Sequence, residues 1–329
     1  MRRLPALLTA AALATVLASS LTACAGMPGS GGCDPFYEPG SASELVTATG
    51  SFGTEPKVSF PTPLIADKPQ VSTLIEGEGD PIPNRGTVDF DFSLSDGGTG
   101  QLYGATDYSD QPGGRLVAGQ EGSAVTKSLQ CARVGERFAL TTLAADAYAP
   151  DALPQGLSKD TTLVFVVDVV ASYLGKADGF NQLPQDGMPS VVTAPDGQPG
   201  ITVPKTDPPA ELRNSTIKAG GGATVEDGDT AVLHFSAWTW PTGGGDPQDV
   251  DSSWPRIPIN QLVTKDAKGD ASARIAPGAA AKVVGANVGS QLLVVIPARD
   301  AYPGGVPTGV DESSTLIYVI DVLGIQKKS

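Results

Sequence analysis

The sequence repeats itself, and this repetition constrains the fold more than any other feature does. Three blocks recur in the same order at a nearly constant offset of 153 or 154 residues. The matching pairs are Val134-Gly135 with Val288-Gly289, Asp146-Ala147-Tyr148 with Asp300-Ala301-Tyr302, and Thr162–Val169 with Thr315–Val322. A drift of one residue indicates a single loop insertion or deletion. A period this long is typical of duplicated domains rather than of a solenoid, whose repeats span roughly 20–50 residues.

Each repeat is rich in predicted β-strands. Val88–Phe92 alternates apolar and acidic residues, and Thr161–Val170 is a nearly continuous apolar run that is typical of a buried strand. We therefore expect one β-rich domain over residues 47–174 and a second over residues 210–329. Residues 175–209 are rich in Pro, Gly, Asp and Gln and have little periodicity, which predicts a linker between the two domains.

The first 23 residues have the features of a lipoprotein signal peptide. Arg2 and Arg3 precede an uncharged stretch, which ends in Leu21-Thr22-Ala23-Cys24. This tetrapeptide resembles the bacterial lipobox, in which the cysteine is lipidated before cleavage; an uncleaved membrane helix is the alternative. We expect a mature protein that begins at Cys24, carries lipid such as palmitate there, and is held at the extracytoplasmic face of the cell membrane by a tether over residues 24–46.

Composition excludes several classes of function. The formal net charge is −14, so phosphate backbones are repelled and no nucleic-acid partner is expected. The chain has one His and three Cys, which excludes most His-built metal sites and leaves Ser-His-Asp catalysis no choice of base, and we expect no metal and no cofactor. Export permits a disulfide. With Cys24 acylated, Cys33 and Cys131 remain as a pair, and two free buried thiols are the alternative.

A set of short motifs in the second repeat resembles a known family. The matching blocks are Val225-x-x-Gly228-Asp229-x-Ala231-Val232-Leu233-His234-Phe235, Val250-Asp251-Ser252-Ser253-Trp254, Ile275-Ala276-Pro277-Gly278, Gly285-x-x-Val288-Gly289-Ser290, Ile296-Pro297 with Tyr302, and Ser314–Tyr318. In this order they resemble an FKBP-type peptidyl-prolyl cis-trans isomerase domain, spanning Ile217 to Ile325. The whole chain resembles a bacterial, actinobacterial-like lipoprotein with two FKBP-like domains.

The resemblance implies an α+β fold of two FKBP-like domains, each an antiparallel β-sheet curled around one short α-helix. In the second domain we expect that helix at Gly278–Val284. The family's reaction is rotation about X-Pro bonds, which has a barrier of about 18–20 kcal/mol because amide resonance must break. An apolar pocket that binds the twisted amide accelerates this rotation without a covalent intermediate, a metal or a cofactor.

The resemblance also assigns roles to individual residues. Asp251 and Tyr302 take the catalytic positions: Asp251 orients pocket side chains, and the Tyr302 hydroxyl donates to the substrate carbonyl. The substrate-binding residues are Phe235, Val250, Ile275, Ala276 and Tyr318, together with Ile259 or Leu262. Strand alternation places His234 on the opposite face from Phe235, as a surface or interface residue without a catalytic role.

The second repeat departs from the family at three pocket positions. The family's Phe before the Asp is Val250, its sheet Tyr is Phe235, and its pocket-floor Trp aligns with Ala279. Loss of an indole costs roughly 3–5 kcal/mol of packing if nothing fills the space. The candidates to replace that indole are Trp238, Trp240 and Trp254. These departures predict weaker activity than the family pattern implies.

The first repeat retains the strands of the scaffold but fewer of the site residues. Its residues Phe92, Tyr148 and Phe165 correspond to Phe235, Tyr302 and Tyr318. The Ile-Ala-Pro-Gly block aligns with Glu121-Gly122-Ser123-Ala124, which puts a carboxylate where the pocket needs an aliphatic side chain. The nearest candidate for the Asp-Ser-Ser block is Asp107-Tyr108-Ser109. We expect a degenerate FKBP-like domain that serves as a binding module, as a spacer or as a stabilising element.

Three functions are compatible with these features. The first is a surface-tethered prolyl isomerase that assists protein folding by acting on proline-containing segments of exported proteins. The second is a non-catalytic proline-peptide binding or chaperone module on the cell envelope. The third is a structural or adhesive envelope protein whose two β domains resemble FKBPs only superficially.

Overall fold

Two antiparallel β-sheets, one from each half of the sequence, dominate the computed structural model. The structure describes residues 33–82, 85–109, 111–243, 245–254, 256–267, 273–307 and 310–326. The predicted signal peptide and the lipidation site Cys24 lie outside the described residues. Within those ranges, no helix is long and apolar enough to cross a membrane.

Most of the regular structure is strand, and the helices are only four or five residues long. The strands are β1 (Thr47–Thr49), β2 (Lys57–Ser59), β3 (Gln70–Ile75), β4 (Thr87–Asp96), β5 (Leu102–Ala105), β6 (Gly114–Val117), β7 (Arg137–Leu143), β8 (Thr162–Tyr173), β9 (Phe180–Asn181), β10 (Ser190–Thr193), β11 (Pro199–Thr202), β12 (Arg213–Ala219), β13 (Thr230–Thr239), β14 (Gln248–Ser252), β15 (Ile259–Leu262), β16 (Gln291–Pro297) and β17 (Thr315–Ile325). The α-helices are α1 (Ala124–Ser128), α2 (Ala144–Ala147), α3 (Pro277–Ala280) and α4 (Ala298–Ala301), and short 3₁₀ turns lie at Ser43–Leu45, Pro150–Ala152 and Ala281–Val283.

The two large sheets have the same strand order. The first sheet runs β3-β7-β8-β4-β5, with β6 also paired to β4. The second runs β9-β12-β16-β17-β13-β14, with β15 also paired to β13. Both sheets carry a β-bulge at the same point of the central pairing: the extra residue is Val170 in β8, opposite Asp89 and Phe90, and Leu323 in β17, opposite Val232 and Leu233. The repeated blocks of sequence thus build the same topology twice, with β9 added at one edge.

The central strands are buried on both faces, which explains their nearly continuous apolar sequence. In β13, alternate residues enter the main core of the second half; these are Ala231, Leu233, Phe235 and Ala237. The intervening residues face the other side of the sheet, where Trp238 belongs to a second buried cluster. We call the side with Phe235 the inner face and the side with Trp238 the outer face.

The segment predicted as a linker is instead part of the second repeat. Residues 175–209 contain β9 and the hairpin β10–β11, and this hairpin covers the outer face of the second sheet. The contacts are apolar: Met188, Val191, Ile201 and Val203 pack with Trp238, Trp240, Leu293, Val295, Ile317 and Val319. The prediction failed because the hairpin strands are only four residues long and rich in turn residues, so their periodicity is weak.

The segment predicted as a tether is also folded where it is described. Residues 42–60 place the hairpin β1–β2 and the buried Ala42 and Val46 against the outer face of the first sheet. The structure joins Cys33 to Cys131 by a disulfide, with the two Cα atoms 5.5 Å apart. Each repeat therefore begins with a hairpin that covers the outer face of its own sheet, and the repeat unit is longer than the sequence blocks indicated.

A short sequence pattern in the two hairpins matches this longer repeat. Pro56-x-Val58-x-Phe60-Pro61 corresponds to Pro199-x-Ile201-x-Val203-Pro204 at an offset of 143 residues. The same offset aligns β4 with β13, including both bulges. The offset is 145 at β6 and β15 and 153 at α1 and α3, so the connection between β15 and α3 is eight residues longer than its counterpart in the first repeat.

The two sheets contact each other directly. Arg115 on β6 donates to Asp89 at 2.5 and 2.7 Å, and its Nη1 donates to Asn260 on β15 at 2.5 Å. The Tyr173 ring lies so close to Gly324 that a side chain at position 324 would collide with it. Because these contacts join the end of the first repeat to the second, Cys33–Ser329 forms one compact unit.

A buried carboxylate occupies the outer face of each sheet, with different partners. In the first sheet the fully buried Arg137 pairs with Asp168 at 2.5 Å, and its remaining N–H groups donate to carbonyl oxygens of Gly50, Ser51 and Thr54 in the covering hairpin. The equivalent of this pair in the second sheet is Gln291 with Asp321. Asp321 accepts from the Gln291 amide at 2.7 Å and from Ala177 N–H at 2.8 Å. Without an arginine, burial raises the pKa of Asp321 to about 6.

Asp321→Asn is therefore expected to change how stability depends on pH. Below pH 3.8 the carboxyl is protonated in both the folded and the unfolded states. Between pH 3.8 and about 6 the unfolded chain releases this proton while the folded protein keeps it, so about 2–3 kcal/mol of stability is lost. The Asp321→Asn variant has no carboxyl at this position and should not lose this stability. The unfolding free energy of the variant minus that of the wild type should therefore increase by about 2–3 kcal/mol as the pH rises from 3.8 to about 6.

Urea denaturation at several pH values measures this difference, because the other titrating groups cancel between the two proteins. Asp160→Asn, which removes an exposed carboxylate from a loop, controls for the loss of one charge. A difference between the wild type and Asp321→Asn that stays constant with pH would show that Asp321 is ionised at no cost in the folded protein.

Candidate functional site

The inner face of the second sheet carries the residues that the sequence assigned to a pocket. Phe235 from β13 and Tyr318 from β17 are on neighbouring strands, and their ring centroids are 6.5 Å apart. Ile275 precedes α3 and packs into the same cluster. All three side chains are at most 1% exposed, because the inward positions of both strands and the helix side of the core meet here.

Small residues let α3 pack closely on the rest of the core. Pro277 begins the helix, where a proline has no hydrogen bond to lose, and Ala276 is its N-cap residue. A Cβ added at Gly278 would collide with the backbone of α4 at Asp300 and would lie 2.9 Å from Ile296 Cδ1. This close approach positions α4 and hence Tyr302, which follows that helix as its C-cap residue.

Tyr302 and Tyr318 place two hydroxyl groups side by side in the cluster. Tyr302 is 9% exposed and Tyr318 is 1% exposed. Burial raises the pKa of Tyr318 far above its ordinary value, and the neighbouring Tyr302 raises it further. Tyr318 therefore stays protonated and can act only as a neutral hydrogen-bonding group. Of the two, Tyr302 is the one with a surface that reaches the outside of the cluster.

Asp251 lies at the edge of this cluster and is held by an arginine that the sequence interpretation missed. Arg274 Nε donates to Asp251 Oδ2 at 2.8 Å, and Arg274 Nη2 donates to Oδ1 at 2.5 Å. Nη2 also donates to the carbonyl oxygen of Ser252 at 2.7 Å, and Arg274 Cζ lies 5.1 Å from the centre of the Phe235 ring. The guanidinium thus covers one edge of Phe235 while it binds Asp251.

The ionised form of Asp251 is favoured at this position. Partial burial alone would raise its pKa, but hydrogen bonds from Arg274 and from Ser252 N–H outweigh that effect and lower the pKa below its ordinary value. Arg256 Nη2 lies 3.9 Å from Asp251 Oδ1 and adds to the stabilisation. Asp251 is therefore a carboxylate whose oxygens already have partners.

Val250 occupies an irregular position of β14. In the pairing of β14 with β13, Asp251 lies opposite Ala237 and Asp249 opposite Trp238, so Val250 is the extra residue of a bulge. It is 46% exposed and is not part of the buried inner-face cluster. The role in substrate binding that the family resemblance implies for Val250 therefore stays a prediction, at an exposed position beside Asp251. Of the two aliphatic alternatives on β15, Ile259 packs against the cluster, whereas Leu262 is exposed.

None of the three tryptophans replaces the missing indole. Trp238 and Trp240 lie in the cluster on the outer face. Trp254 stacks on His234 with the ring centroids 3.8 Å apart, and His234 Nδ1 lies 2.7 Å from Ser253 Oγ. Of the two predicted environments for His234, the structure shows the interface: His234 is buried and lines a small cavity together with Arg85 and Val117 of the first repeat. That burial lowers its pKa to about 3, so it stays neutral. Ala279 is instead buried by direct packing of α3.

Strand pairing shows how far the site has changed in the first repeat. Thr106 bonds to Phe92 as Ser253 bonds to Phe235, so the position of Asp251 is occupied by Gly104 rather than by the Asp107-Tyr108-Ser109 segment. Ser123 is the N-cap residue of α1, as Ala276 is of α3. The position of Ile275 is therefore taken by Gly122, and Glu121 is exposed rather than buried in a pocket.

The fold and the cluster combine antiparallel sheets, short helices and an apolar inner face edged by a tyrosine and an aspartate. No family model matches the chain. It is 27% identical over 130 residues to the FK506-binding protein of Streptomyces anulatus, a match that covers 39% of this chain and 97% of that protein. The chain is thus related to the FKBP-type peptidyl-prolyl isomerases.

Two solved structures are also similar. The three FKBP domains of wheat FKBP73 match with 14% identity and a TM-score of 0.30, over 79% of this chain and 95% of that one. A peptidyl-prolyl cis-trans isomerase from Pseudomonas syringae pv. tomato matches with 22% identity and a TM-score of 0.28, over 33% of this chain and 77% of that one.

The packing of Ala279 leads to a test by substitution. Ala279→Trp restores the residue type that the family resemblance implies, yet the position is closed. We expect the indole to overpack the core and to lower the unfolding free energy by about 1–3 kcal/mol or more. Chemical denaturation measures the change. Leu183→Trp, at a strongly exposed position, controls for adding an indole. A variant as stable as the wild type would mean that α3 leaves room for the ring.

Proposed function

We propose that residues 210–329 form an FKBP-type domain that accelerates rotation about X-Pro bonds, in a protein whose first repeat is a degenerate FKBP-like domain. The observation that carries the proposal is the arrangement of Phe235, Ile275 and Tyr318 beneath Tyr302 and Asp251. It combines a buried apolar cluster, which must open to admit a proline ring, with one hydroxyl donor and one fixed carboxylate at its edge. This set suits a reaction that needs shape and a hydrogen bond rather than a nucleophile.

Each group has a role in this mechanism. The proline ring of the substrate binds against the apolar cluster, away from water. This environment favours the twisted amide over the planar one, because the twisted amide has lost its resonance and is the less polar of the two. The Tyr302 hydroxyl donates to the substrate carbonyl oxygen as the amide rotates. Asp251 fixes the Arg274 side chain beside Phe235. No bond to the substrate is formed, and only the partial double bond of the amide is disrupted.

A second function has its own support. The aromatic wall expected at position 250 is an exposed valine, and the indole expected at position 279 is a buried alanine. Both changes reduce the apolar surface available to a proline ring. A non-catalytic module that binds proline-containing segments, as a chaperone does, would tolerate this loss better than a catalyst would.

The isomerase assay separates the two functions. With a Leu-Pro tetrapeptide, we expect catalysed cis–trans exchange whose kcat/KM falls about three- to tenfold in Tyr302→Phe, since one neutral hydrogen bond is lost. Asp251→Ala should lower it further, because Arg274 loses its bidentate partner. Peptide binding without catalysis, unaffected by Tyr302→Phe, would support the binding module instead.

We further propose that the protein acts at the extracytoplasmic face of the cell membrane, anchored by lipid on Cys24, on proline-containing segments of exported proteins. The support is the lipobox-like sequence that precedes Cys24. Cys24→Ser should remove the attachment site, so that the protein leaves the membrane fraction when cells are fractionated. Detergent partitioning and mass spectrometry of the N-terminal peptide measure this, with Cys33→Ser as the matched control. A Cys24→Ser variant that stays in the membrane fraction would contradict the lipid anchor.

A further inference from the structure

The rim of the proposed pocket carries an excess of positive charge. Arg274 and Arg256 both contact the single carboxylate of Asp251, at 2.5 and 3.9 Å. Because a guanidinium is always charged, two of them against one carboxylate leave a local charge of about +1. This is opposite in sign to the chain as a whole, whose formal net charge is −14.

The neighbouring acidic residue on β14 does not cancel this charge from the same side. Residues that lie opposite each other in antiparallel strands point to the same face. Asp251 lies opposite Ala237, which faces the inner cluster, whereas Asp249 lies opposite Trp238, which faces the outer one. The bulge at Val250 thus separates the two carboxylates and places Asp251, not Asp249, on the side of the pocket.

Arg274 is held in place and still has hydrogen-bonding capacity. Its Nε and Nη2 bind Asp251 and Ser252, while its Nη1 has no hydrogen-bond partner among the described residues. The side chain is 33% exposed and lies over the edge of Phe235. Because Arg274 is already fixed by Asp251, it loses less side-chain entropy when its free side donates to the carboxylate of a bound peptide.

We infer that Arg274, assisted by Arg256, makes this pocket prefer proline-containing segments in which an acidic residue immediately precedes the proline. The inference rests on the proposed function. If the proline ring packs against the Phe235 cluster, the preceding Cα is only about 3.8 Å from the proline Cα. The side chain of that residue therefore remains at the rim, within reach of the guanidinium groups.

The origin of Arg274 is consistent with a role in selecting substrates. It lies in a connection of thirteen residues, 263–275, between β15 and the N-cap of α3. The corresponding connection of the first repeat has five residues, 118–122, and ends at Glu121-Gly122. The first repeat lacks the arginine, and Gly104 replaces its carboxylate partner. The charged rim therefore belongs to the second repeat alone.

The test compares peptides that differ only in the residue before proline: Glu-Pro, Gln-Pro, Lys-Pro and Leu-Pro tetrapeptides. Isomerisation rates give kcat/KM, and fluorescence anisotropy of labelled peptides gives Kd. At low ionic strength we expect Glu-Pro to exceed Gln-Pro by about two- to fivefold, and Lys-Pro to fall below Gln-Pro. The ratio of Glu-Pro to Gln-Pro should approach 1 at about 0.5 M salt, since partly exposed charges are screened.

Two variants and a control assign the preference to named residues. Arg274→Gln should reduce the Glu-Pro to Gln-Pro ratio to 1 or below, and Arg256→Gln should reduce it partly. Arg133→Gln removes the same charge from an exposed site in the first repeat and should leave the ratio unchanged. If Arg274→Gln keeps the wild-type ratio, the inference is wrong.

The outcome also distinguishes this inference from the proposed function. Turnover of Leu-Pro with equal values for Glu-Pro and Gln-Pro overturns the acidic preference and leaves the isomerase intact. Binding without turnover, with a lower Kd for Glu-Pro, supports the preference in a non-catalytic module. Neither turnover nor binding of any of the four peptides overturns both.

Discussion

The pairing of β13 with β17 is the interaction on which the second half of the molecule depends. Nine residues of β13 have partners on β17, and the inward positions of the two strands supply Phe235 and Tyr318. The outward positions supply Trp238, Ile317 and Val319 to the opposite face. Because successive side chains alternate between the two faces, a register shift of one residue would move every inward side chain to the outer face and every outward side chain to the inner face. The bulge at Leu323, opposite Val232 and Leu233, leaves Ala231 and Leu233 on the same face.

The covering of the outer face follows from the same constraint. A sheet whose central strands are apolar on both faces must be covered on both. The inner face is covered by a short helix and the outer face by a hairpin that precedes each sheet in the chain. Each hairpin is anchored by polar contacts to a buried carboxylate or its neighbours, through Arg137 and Asp168 in the first repeat. In the second, Asp321 accepts from Ala177 N–H, and Thr193 of the hairpin donates to Gln291, the side-chain partner of Asp321. Apolar contacts hold the rest of that hairpin.

The long strands and the duplication could be predicted from the sequence because each rests on many residues in a regular pattern. The grouping of Phe235, Ile275 and Tyr318 was implied by the family resemblance, and the structure brings the three into one buried cluster. The hairpins could not be predicted, since two strands of three or four residues carry too little periodicity to stand out from a Pro- and Gly-rich linker. The bulge at Val250 could not be predicted either, because a bulge leaves no pattern in a single strand. Arg274 was missed because its partner Asp251 is 23 residues away along the chain.

The two repeats show what a pocket of this kind can lose without losing its fold. The first keeps aromatic residues at 92 and 165, with ring centroids 6.3 Å apart, on the same pair of strands. It has glycine at the positions of Asp251 and Ile275, and neither change affects strand pairing or the helix cap. Scaffold and site are thus separable: β-sheet register and hairpin packing stabilise the fold, whereas the chemistry depends on a few residues at strand ends and in the connection before the helix. An insertion in that connection placed Arg274 beside Asp251 at no cost to the sheet, so electrostatic character at the rim can change while the apolar cluster below it stays the same.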